Sequence, residues 1–287
     1  DSSVFMAEQY GTLGAEIVHL DLSKASIGVA KERLKMRGLE NKVTFLHASL
    51  LDIPKMDLGK FDYINCSGVL HHLASPEEGL AALESALAPD GIMTIMLYGK
   101  YGRLAIYPMQ ETLRIATKHI TNRAEKIKTA RNILSNLPRG NWFLFSQPQF
   151  QWDLDSDNGL YDLLLHPQDR AYSVPELHEY MASAGLQILS FQDGNTSGAH
   201  LFNPKRIVMS EQAQKEIDKL NIQDQQALAE LLDGSINKHT FYAGRKKTEL
   251  PDPSDETFIP SINYMFSIVM KSLLKMILMA QDKYIMR

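Results

Sequence analysis

The first hundred residues alternate between helical and strand-like patterns of hydrophobic positions. Ile27, Ala30 and Leu34 recur at helical spacing, whereas short apolar runs bounded by turn residues predict buried strands. Such alternation predicts right-handed βαβ crossovers and a doubly wound α/β sheet that binds ligands at the carboxyl ends of its strands. The predicted elements are helix SVFMAEQY, strand AEIVHLDL, helix KASIGVAKERLKMR, strands KVTFLHA and FDYINCSGVL, helix ASPEEGLAALESAL and strand PDGIMTIMLYG.

Capping residues support these boundaries. Ser23 and Ser75 stand where a helix N-cap prefers a hydroxyl, and Gly38 stands where a left-handed helix end prefers glycine. Pro76 suits the first helical position, and Glu78 is expected to close a capping box with Ser75. Later in the chain, Ser173 and Glu176 predict a second capping box.

After Gly102 the pattern is helical, and no strand is predicted before about residue 186. The chain therefore divides into a core at 1–102, a helical and aromatic insertion at 103–172, a completion of the sheet at 173–247, and a tail at 248–287. Strands LQILSFQ and INKHTFYAGRK flank helical sequence in the third part. Aromatic residues in the insertion favour a core or an interface, with a lid over an acceptor as the alternative; they are Trp142, Phe143, Phe145, Phe150 and Trp152.

The tail begins with a linker-like segment and continues as an amphipathic helix. Its apolar positions are 262, 266, 269, 273, 276 and 280. Lys271 and Lys275 interrupt them too early for a bilayer span, so we expect a contact helix.

Composition narrows the possible partners and compartment. The 287 residues carry a formal net charge of −4, which argues against nucleic acid as the default partner. With 44% hydrophobic residues the chain can bury one large core. Cys66 is the single cysteine, so neither an intramolecular disulfide nor a thiolate zinc site is expected. A reducing compartment follows, and the cytoplasm is the expected location.

Asp21 is the first candidate binding residue because it ends a predicted strand. A carboxylate there can accept two hydrogen bonds from the hydroxyls of a ribose, or it can simply complement the start of the next helix. In nucleotide-binding sheets such an acid follows a glycine-rich turn by roughly 20 residues. A strand ending in that turn is therefore predicted just ahead of Asp1.

Four segments together carry a resemblance to a known family. IVHLDLS, VTFLHASLLDIP, FDYINCSGVLHHL and ALAPDGIMTIMLYG, in this order and spacing, resemble the class I methyltransferases that use S-adenosylmethionine. The resemblance implies a Rossmann-like, mostly parallel seven-stranded sheet of order 3-2-1-4-5-7-6, and S-adenosyl-L-methionine as cofactor with S-adenosyl-L-homocysteine as product. It implies that Asp21 holds the ribose, that Ala48, Ser49 and Leu50 frame the adenine, and that Asn65, Ser67 and Gly68 face the methionine portion. Leu22 and His71 are also predicted to bind the cofactor, His71 from a segment that shapes the floor of the cofactor cleft.

This sequence departs from the family in two places. Ser49 stands where the family often has an aspartate that accepts from the adenine amino group, so Asp52 or backbone must supply that contact. The glycine-rich loop of the family is not present in the sequence. The later segments also resemble bacterial methyltransferases with appended C-terminal regions, including protein-lysine methyltransferases of rickettsial type.

His71 and His72 are open to three interpretations. Adjacent side chains at a strand end diverge and no nearby cysteine or tight acidic cluster completes a coordination shell, so a metal site is disfavoured and none is predicted. A packed or capping histidine is the main structural alternative. The third interpretation is a histidine in the acceptor pocket, and His71 is retained as a catalytic candidate.

Methyl transfer needs alignment, exclusion of water and, for some acceptors, a proton acceptor. Two segments supply candidates for these roles. YGKYGR offers Tyr98, Tyr101 and Arg103, and LHPQDRAYS offers His166, Asp169, Arg170 and Tyr172. The alternative for the second segment is a structural Asp–Arg ion pair beside a packed tyrosine.

The function expected from these features is methyl transfer to a protein side chain or a small molecule, with a homodimer as a possible assembly. An NAD(P)-dependent oxidoreductase shares the acid after the second strand of the sheet. A cofactor-binding protein without catalysis is the third alternative.

Overall fold

The computed structural model describes residues 2–192, 201–207 and 209–245. Its first part alternates helices and strands as predicted, and the insertion is helical. The first part contains α1 (Ser2–Tyr10), β1 (Ile17–Asp21), α2 (Lys24–Lys35), β2 (Val43–His47), β3 (Phe61–Ser67), α3 (Pro76–Ala86) and β4 (Leu87–Gly99). The insertion contains α4 (Ile106–Ala116), α5 (Arg123–Ser135), α6 (Trp142–Ser146), α7 (Gln151–Leu154), α8 (Asp157–Leu160) and a π-helical turn (Tyr161–Leu165).

The remaining elements complete the fold. A two-residue strand, absent from the sequence prediction, ends the insertion. These elements are β5 (Ala171–Tyr172), α9 (Val174–Ser183), β6 (Gln187–Gln192), α10 (Glu211–Ile217), α11 (Ile222–Asp233) and β7 (Lys238–Gly244). The predicted tail helix lies outside the described residues. Among the helices that are described, none combines the length and apolarity needed to cross a membrane.

Most predicted caps are present. Ser23 accepts from the Ser26 amide at 3.2 Å, and Gly38 has a φ of 66°. The Ser173 and Glu176 capping box is complete. For α3 only half of the predicted box forms, because the Ser75 side chain accepts from the Glu78 amide but no return bond from the Glu78 carboxylate is seen.

The described strands form a two-stranded and a five-stranded sheet, and the mostly parallel α/β arrangement that the sequence predicted is present. β1 and β2 pair in parallel, with Asp21 opposite His47. The second sheet has the order β3-β4-β7-β6, and β5 pairs with the end of β4. β7 runs antiparallel to both of its neighbours, while the other pairs are parallel.

A groove separates β1 from β3. Val18 and Leu20 of β1 and Phe61, Tyr63 and Asn65 of β3 line pockets on both sides of it. Neither strand has a strand partner on this side within the described residues. The edges of β1 and β3 do not bond to each other, so a single seven-stranded sheet is not confirmed for the described residues.

Two large hydrophobic clusters support the molecule separately. The first packs α3 and α9 against the five-stranded sheet and includes Leu97, Leu177 and Phe241, all fully buried. The second lies inside the insertion and includes Leu113 and Leu160. The insertion thus has its own core.

Two glycines hold the turn after β4 against the chain that leads into β7. The amide of Gly99 donates to the Asn237 carbonyl at 2.9 Å, and that of Gly102 donates to the Ile236 carbonyl at 3.1 Å. A Cβ on Gly102 would lie 2.4 Å from the Ile236 carbonyl carbon, which is too close for any side chain. This close approach fixes where the following residue, Arg103, leaves the sheet.

Candidate functional site

The carboxyl ends of β1 and β3 bring three predicted cofactor-binding residues to one groove. Asp21, Asn65 and Ser67 line the same pocket of about 290 Å³. Since strand β1 runs into Asp21 and strand β3 into Ser67, the pocket lies at the sheet edge where open α/β proteins bind ligands. Sequence positions 44 residues apart are therefore neighbours, as the sequence predicted.

Asp21 is half-buried, and its two oxygens differ in their surroundings. Oδ1 accepts from the Ser23 amide at 2.7 Å, so the helix-start role considered from the sequence is also present. Oδ2 lies 4.0 Å from Nε2 of His19, whose Nδ1 is 2.9 Å from the Ser3 hydroxyl. Oδ2 thus remains able to accept from a ligand hydroxyl.

The other residues predicted near the adenine lie around the ends of β1 and β2. The Ala48 amide donates to the Asp21 carbonyl at 3.3 Å, which joins the two strand ends. The Ser49 hydroxyl is engaged within the chain, because it accepts a hydrogen bond from the Leu51 amide at 3.2 Å. Leu50 lines the pocket on the other side of the groove, and Leu22 is 72% exposed.

A short polar network orders the end of β3. The Ser67 hydroxyl donates to Oδ1 of Asn65 at 3.2 Å, and the Asn65 amide is 3.4 Å from the Tyr63 hydroxyl. Tyr63 in turn donates to the Thr94 hydroxyl at 2.8 Å. Gly68 follows with a φ of 75°, a conformation that L side chains rarely adopt. The chain therefore turns sharply away from the groove at the strand end.

Beyond β3 and β4, three predicted catalytic residues form one stack. The His71 ring lies on one face of Tyr98 with centroids 3.9 Å apart, and the Arg103 guanidinium carbon lies 3.7 Å from the centre of the Tyr98 ring. His71 has no solvent exposure, and neither ring nitrogen has a partner within the described residues. Burial, together with the charges of His72, Arg103 and His166, lowers the pKa of His71 to about 3. His71 is therefore a neutral packing partner of Tyr98.

Arg103 is anchored by a buried ion pair. Its Nη2 lies 3.1 Å from Oδ2 of Asp169, and both side chains are at most 3% exposed. The amide of Gln110 donates to the same oxygen at 3.1 Å and to the Leu163 carbonyl at 2.9 Å. The segment HPQDRAY thus contributes Asp169 to a structural ion pair. Its partner is Arg103 of the turn after β4, and not Arg170 of the same segment.

Arg170, Tyr172 and Tyr101 lie outside this stack. Arg170 is exposed, pairs with Glu77 at 3.4 Å and covers the Tyr172 ring at 4.7 Å. Tyr172 is buried and stacks on Tyr180 at 5.2 Å, and burial raises its pKa to about 12. Tyr101 lies in the turn after β4 and is partly buried.

His72 and His166 pack together with complementary tautomers. The His72 ring is 4.3 Å from that of His166. Nδ1 of His72 donates to the Gln168 carbonyl at 3.1 Å, which leaves Nε2 as the acceptor nitrogen of the neutral ring. Nδ1 of His166 accepts from the Gln168 amide at 3.2 Å, which leaves Nε2 as the donor. Burial lowers the pKa of His72 despite its bond to the carbonyl.

Sequence reasoning weighed His72 but retained only His71 as a catalytic candidate, and it did not select Gln110. Their roles depend on contacts with residues 53 to 96 positions away along the chain, for which the local pattern carries no signal. A second buried pair was also not anticipated: Nε2 of His239 lies 3.1 Å from Glu230 and 2.9 Å from the Tyr172 carbonyl. Within the part of the chain that the structure describes, no three His, Cys, Asp or Glu side chains are grouped so that they could hold a metal ion.

Comparison with known proteins places this geometry in a family. Residues 3–93 match the family described as "Methyltransferase domain", and this segment holds the groove and the end of β3. The chain carries a class I S-adenosylmethionine-dependent methyltransferase domain. An uncharacterized protein of Synechococcus sp. is 34% identical over 245 residues, which cover 84% of this chain and 57% of that protein.

The methyltransferase domain also has relatives of stated activity and solved structure. The ubiquinone biosynthesis O-methyltransferase of Aromatoleum aromaticum is 31% identical over 86 residues, or 30% of this chain and 36% of that protein. PKMT2 from Rickettsia typhi in complex with AdoHcy has the same fold, with a TM-score of 0.66 and 18% identity over 86% of this chain and 48% of that chain. The chain thus spans about half the length of the Synechococcus protein and of PKMT2.

Proposed function

We propose that this protein binds S-adenosylmethionine at the carboxyl ends of β1 and β3, where Asp21 and Ser67 end their strands, and transfers its methyl group to an acceptor. The observation that carries the proposal is the convergence of Asp21, Asn65 and Ser67 on one pocket at the carboxyl edge of the strands. Oδ2 of Asp21 fits the ribose, and Asn65 and Ser67 offer polar groups to the methionine portion. Bound there, the cofactor supplies a methyl group already activated on a sulfonium.

The acceptor side is proposed to lie at His72, Tyr98 and His166. Desolvation raises the pKa of Tyr98 to about 12, so its phenol stays protonated at neutral pH and can donate a hydrogen bond. Nε2 of neutral His72 can accept a proton from an acceptor group. The acceptor is proposed to be a protein side chain or a small molecule.

A further strand is proposed to fill the groove. The edges of β1 and β3 face it without strand partners in the described residues, and side chains of both strands line it on either side. A parallel strand there would join the two sheets in the order predicted from the family. The segment predicted ahead of Asp1 would supply it, and slow amide exchange on both edges, at 17–21 and 61–67, would support this assignment.

Calorimetric titration separates the candidate activities. We expect S-adenosylhomocysteine to bind and NAD not to bind; NAD binding alone would favour an oxidoreductase, and binding of neither would contradict the proposal. Asp21→Ala removes the acceptor for the ribose hydroxyls and should weaken S-adenosylhomocysteine binding by about 10-fold or more, since hydrogen bonds to a charged group contribute about 1.5–3 kcal/mol. Asp57→Ala is the matched control, because Asp57 is exposed and lies outside both groove pockets.

Three narrower expectations accompany this proposal. A cytoplasmic location rests on the single cysteine, Cys66, which is buried and forms no disulfide. The absence of a nucleic-acid partner rests on the net charge of −4. A homodimer is one candidate assembly, and sedimentation velocity at two or more protein concentrations would test it.

A further inference from the structure

A basic pocket of about 350 Å³ lies in the insertion, away from the groove. It is walled by α4, α5 and the segment that includes the π-helical turn. Arg114, Lys118 and Lys126 contribute three cationic side chains to its lining, and no acidic residue lines it. Because the chain as a whole is acidic, this concentration of positive charge is local.

The cations of the pocket are largely uncompensated. Arg114 pairs with Glu111 one turn away, but both side chains are more than half exposed, so this pair contributes little and can open. Lys118 and Lys126 make no ion pair with any residue that the structure describes. Lys126 is partly buried, so its charge is partly shielded from solvent where it lines the pocket.

The neutral polar groups of the pocket are already engaged or act as donors. The Thr117 hydroxyl donates to the Leu113 carbonyl at 2.8 Å, and the Gln110 amide bonds to Leu163 and Asp169. His166 lines the pocket, and its Nδ1 accepts from the Gln168 amide, so its remaining ring nitrogen carries the proton. The lining therefore offers a bound molecule three cationic side chains and the Nε2–H donor of His166.

We propose that this pocket binds a small molecule through a phosphate or carboxylate group. Lysine and arginine side chains recognise such oxyanions by charge-assisted hydrogen bonds, and a neutral His166 adds a donor. The pocket volume suits a small ligand, and His166 connects the site to His72 through ring contact at 4.3 Å. The site is distinct from the cofactor groove and does not depend on the proposed methyl transfer.

The test uses inorganic phosphate and malonate as probes, each titrated into the cofactor-free protein at constant ionic strength, because salt screens such contacts. We expect saturable binding of at least one probe at one site per chain. Preference for phosphate would identify a phosphate-bearing ligand, and preference for malonate a carboxylate-bearing one. The absence of saturable binding of both would overturn the proposal, whatever the result with S-adenosylhomocysteine.

Paired variants locate the site. Lys118→Gln combined with Lys126→Gln should weaken probe binding at least 10-fold, whereas Lys128→Gln should change it less than twofold, because Lys128 lies on α5 but outside this pocket. NMR of labelled histidine rings should show a probe-dependent shift at His166 and none at His47. If the double variant is folded and binds the probe as tightly as the unaltered protein, the proposed site is refuted.

Discussion

Arg103 joins the two parts of the candidate acceptor side through a single guanidinium. One face of that group covers Tyr98, and its edge pairs with Asp169 in a region with almost no solvent. Removing one partner from a buried pair leaves the other charged and unsolvated, which costs far more than the pair contributes to stability. The position of Tyr98 therefore depends on a carboxylate 71 residues away in the sequence.

Asp169→Asn should destabilise the protein strongly. The substitution leaves the Arg103 charge buried without a counter-ion, and losses of about 3–5 kcal/mol are typical when one partner is removed. Urea denaturation followed by circular dichroism measures the effect. The double variant Arg103→Met with Asp169→Leu should recover much of the loss, and a double variant as unstable as Asp169→Asn would contradict this explanation.

His71 should make stability depend on pH. Its folded pKa of about 3 lies below the ordinary value of about 6.5, so between these values the unfolded chain binds a proton that the folded chain does not. Stability should fall as pH falls from about 6.5 towards 3, by up to about 1.4 kcal/mol per pH unit from this group. The unfolding free energy of His71→Phe, measured across this range, should depend less on pH. An unchanged slope, or an NMR titration showing His71 charged at pH 5, would disprove the assignment.

At the scale of elements, the turn after β4 sets the geometry of the site. Gly99 and Gly102 bring it against the backbone of Ile236 and Asn237, and β5 pairs with the end of the same strand. The turn can approach so closely only because neither position has a side chain. Its position fixes Tyr98 and Arg103 relative to β7.

Gly102→Ala should displace this turn. The added methyl group would clash with backbone at 2.4 Å and would force Arg103 away from Tyr98. We expect a loss of about 2 kcal/mol or more, in the range of overpacked sites, with a changed Tyr98 environment in aromatic NMR spectra. Gly140→Ala is the control, because nothing lies within 4 Å of its added Cβ and its φ needs no glycine. Equal stability of the two variants would show that the turn can shift to accommodate the methyl group, and would contradict this prediction.

Elements were predictable from the sequence where local chemistry defines them. The period of apolar residues and the capping residues Ser23 and Ser173 identified helices that the structure contains. The common location of Asp21, Asn65 and Ser67 was predictable because strand ends share one edge of a sheet, and their binding of a cofactor stays a prediction. The pairing of Arg103 with Asp169, the tautomer of His72 and the groove were not predictable, because each depends on packing between distant segments.

At the scale of the whole molecule, the insertion and the sheet are supported by separate cores. Asp169, which accepts from both Arg103 and Gln110, joins them near the acceptor side. Large aromatic side chains divide between the two environments of the insertion: Phe143 and Phe150 are buried, whereas Trp142, Phe145 and Trp152 are exposed. Two of the five therefore lie in the core, and an interface or a lid formed by the other three stays a prediction.

Separate cores predict separate local stabilities. Leu160→Ala should create a cavity in the insertion and cost about 2–5 kcal/mol there. Hydrogen exchange by mass spectrometry should then show faster exchange in peptides from 106–165 and little change in β4 and β7. The matched variant Leu97→Ala should have the opposite pattern. Uniform acceleration across the chain in both variants would mean that the two cores unfold as one unit.

The packing around Tyr98 limits how any molecule can contact its ring. An imidazole covers one face of the phenol ring and a guanidinium covers the other, both within 4 Å of its centre. Rotation of the ring about its own axis would have to push both neighbours aside, so its two sides should interconvert slowly and give separate resonances. A bound molecule can therefore contact only the edge of the ring and the hydroxyl. Tyr98 can orient such a molecule through a hydrogen bond, but it cannot stack on it.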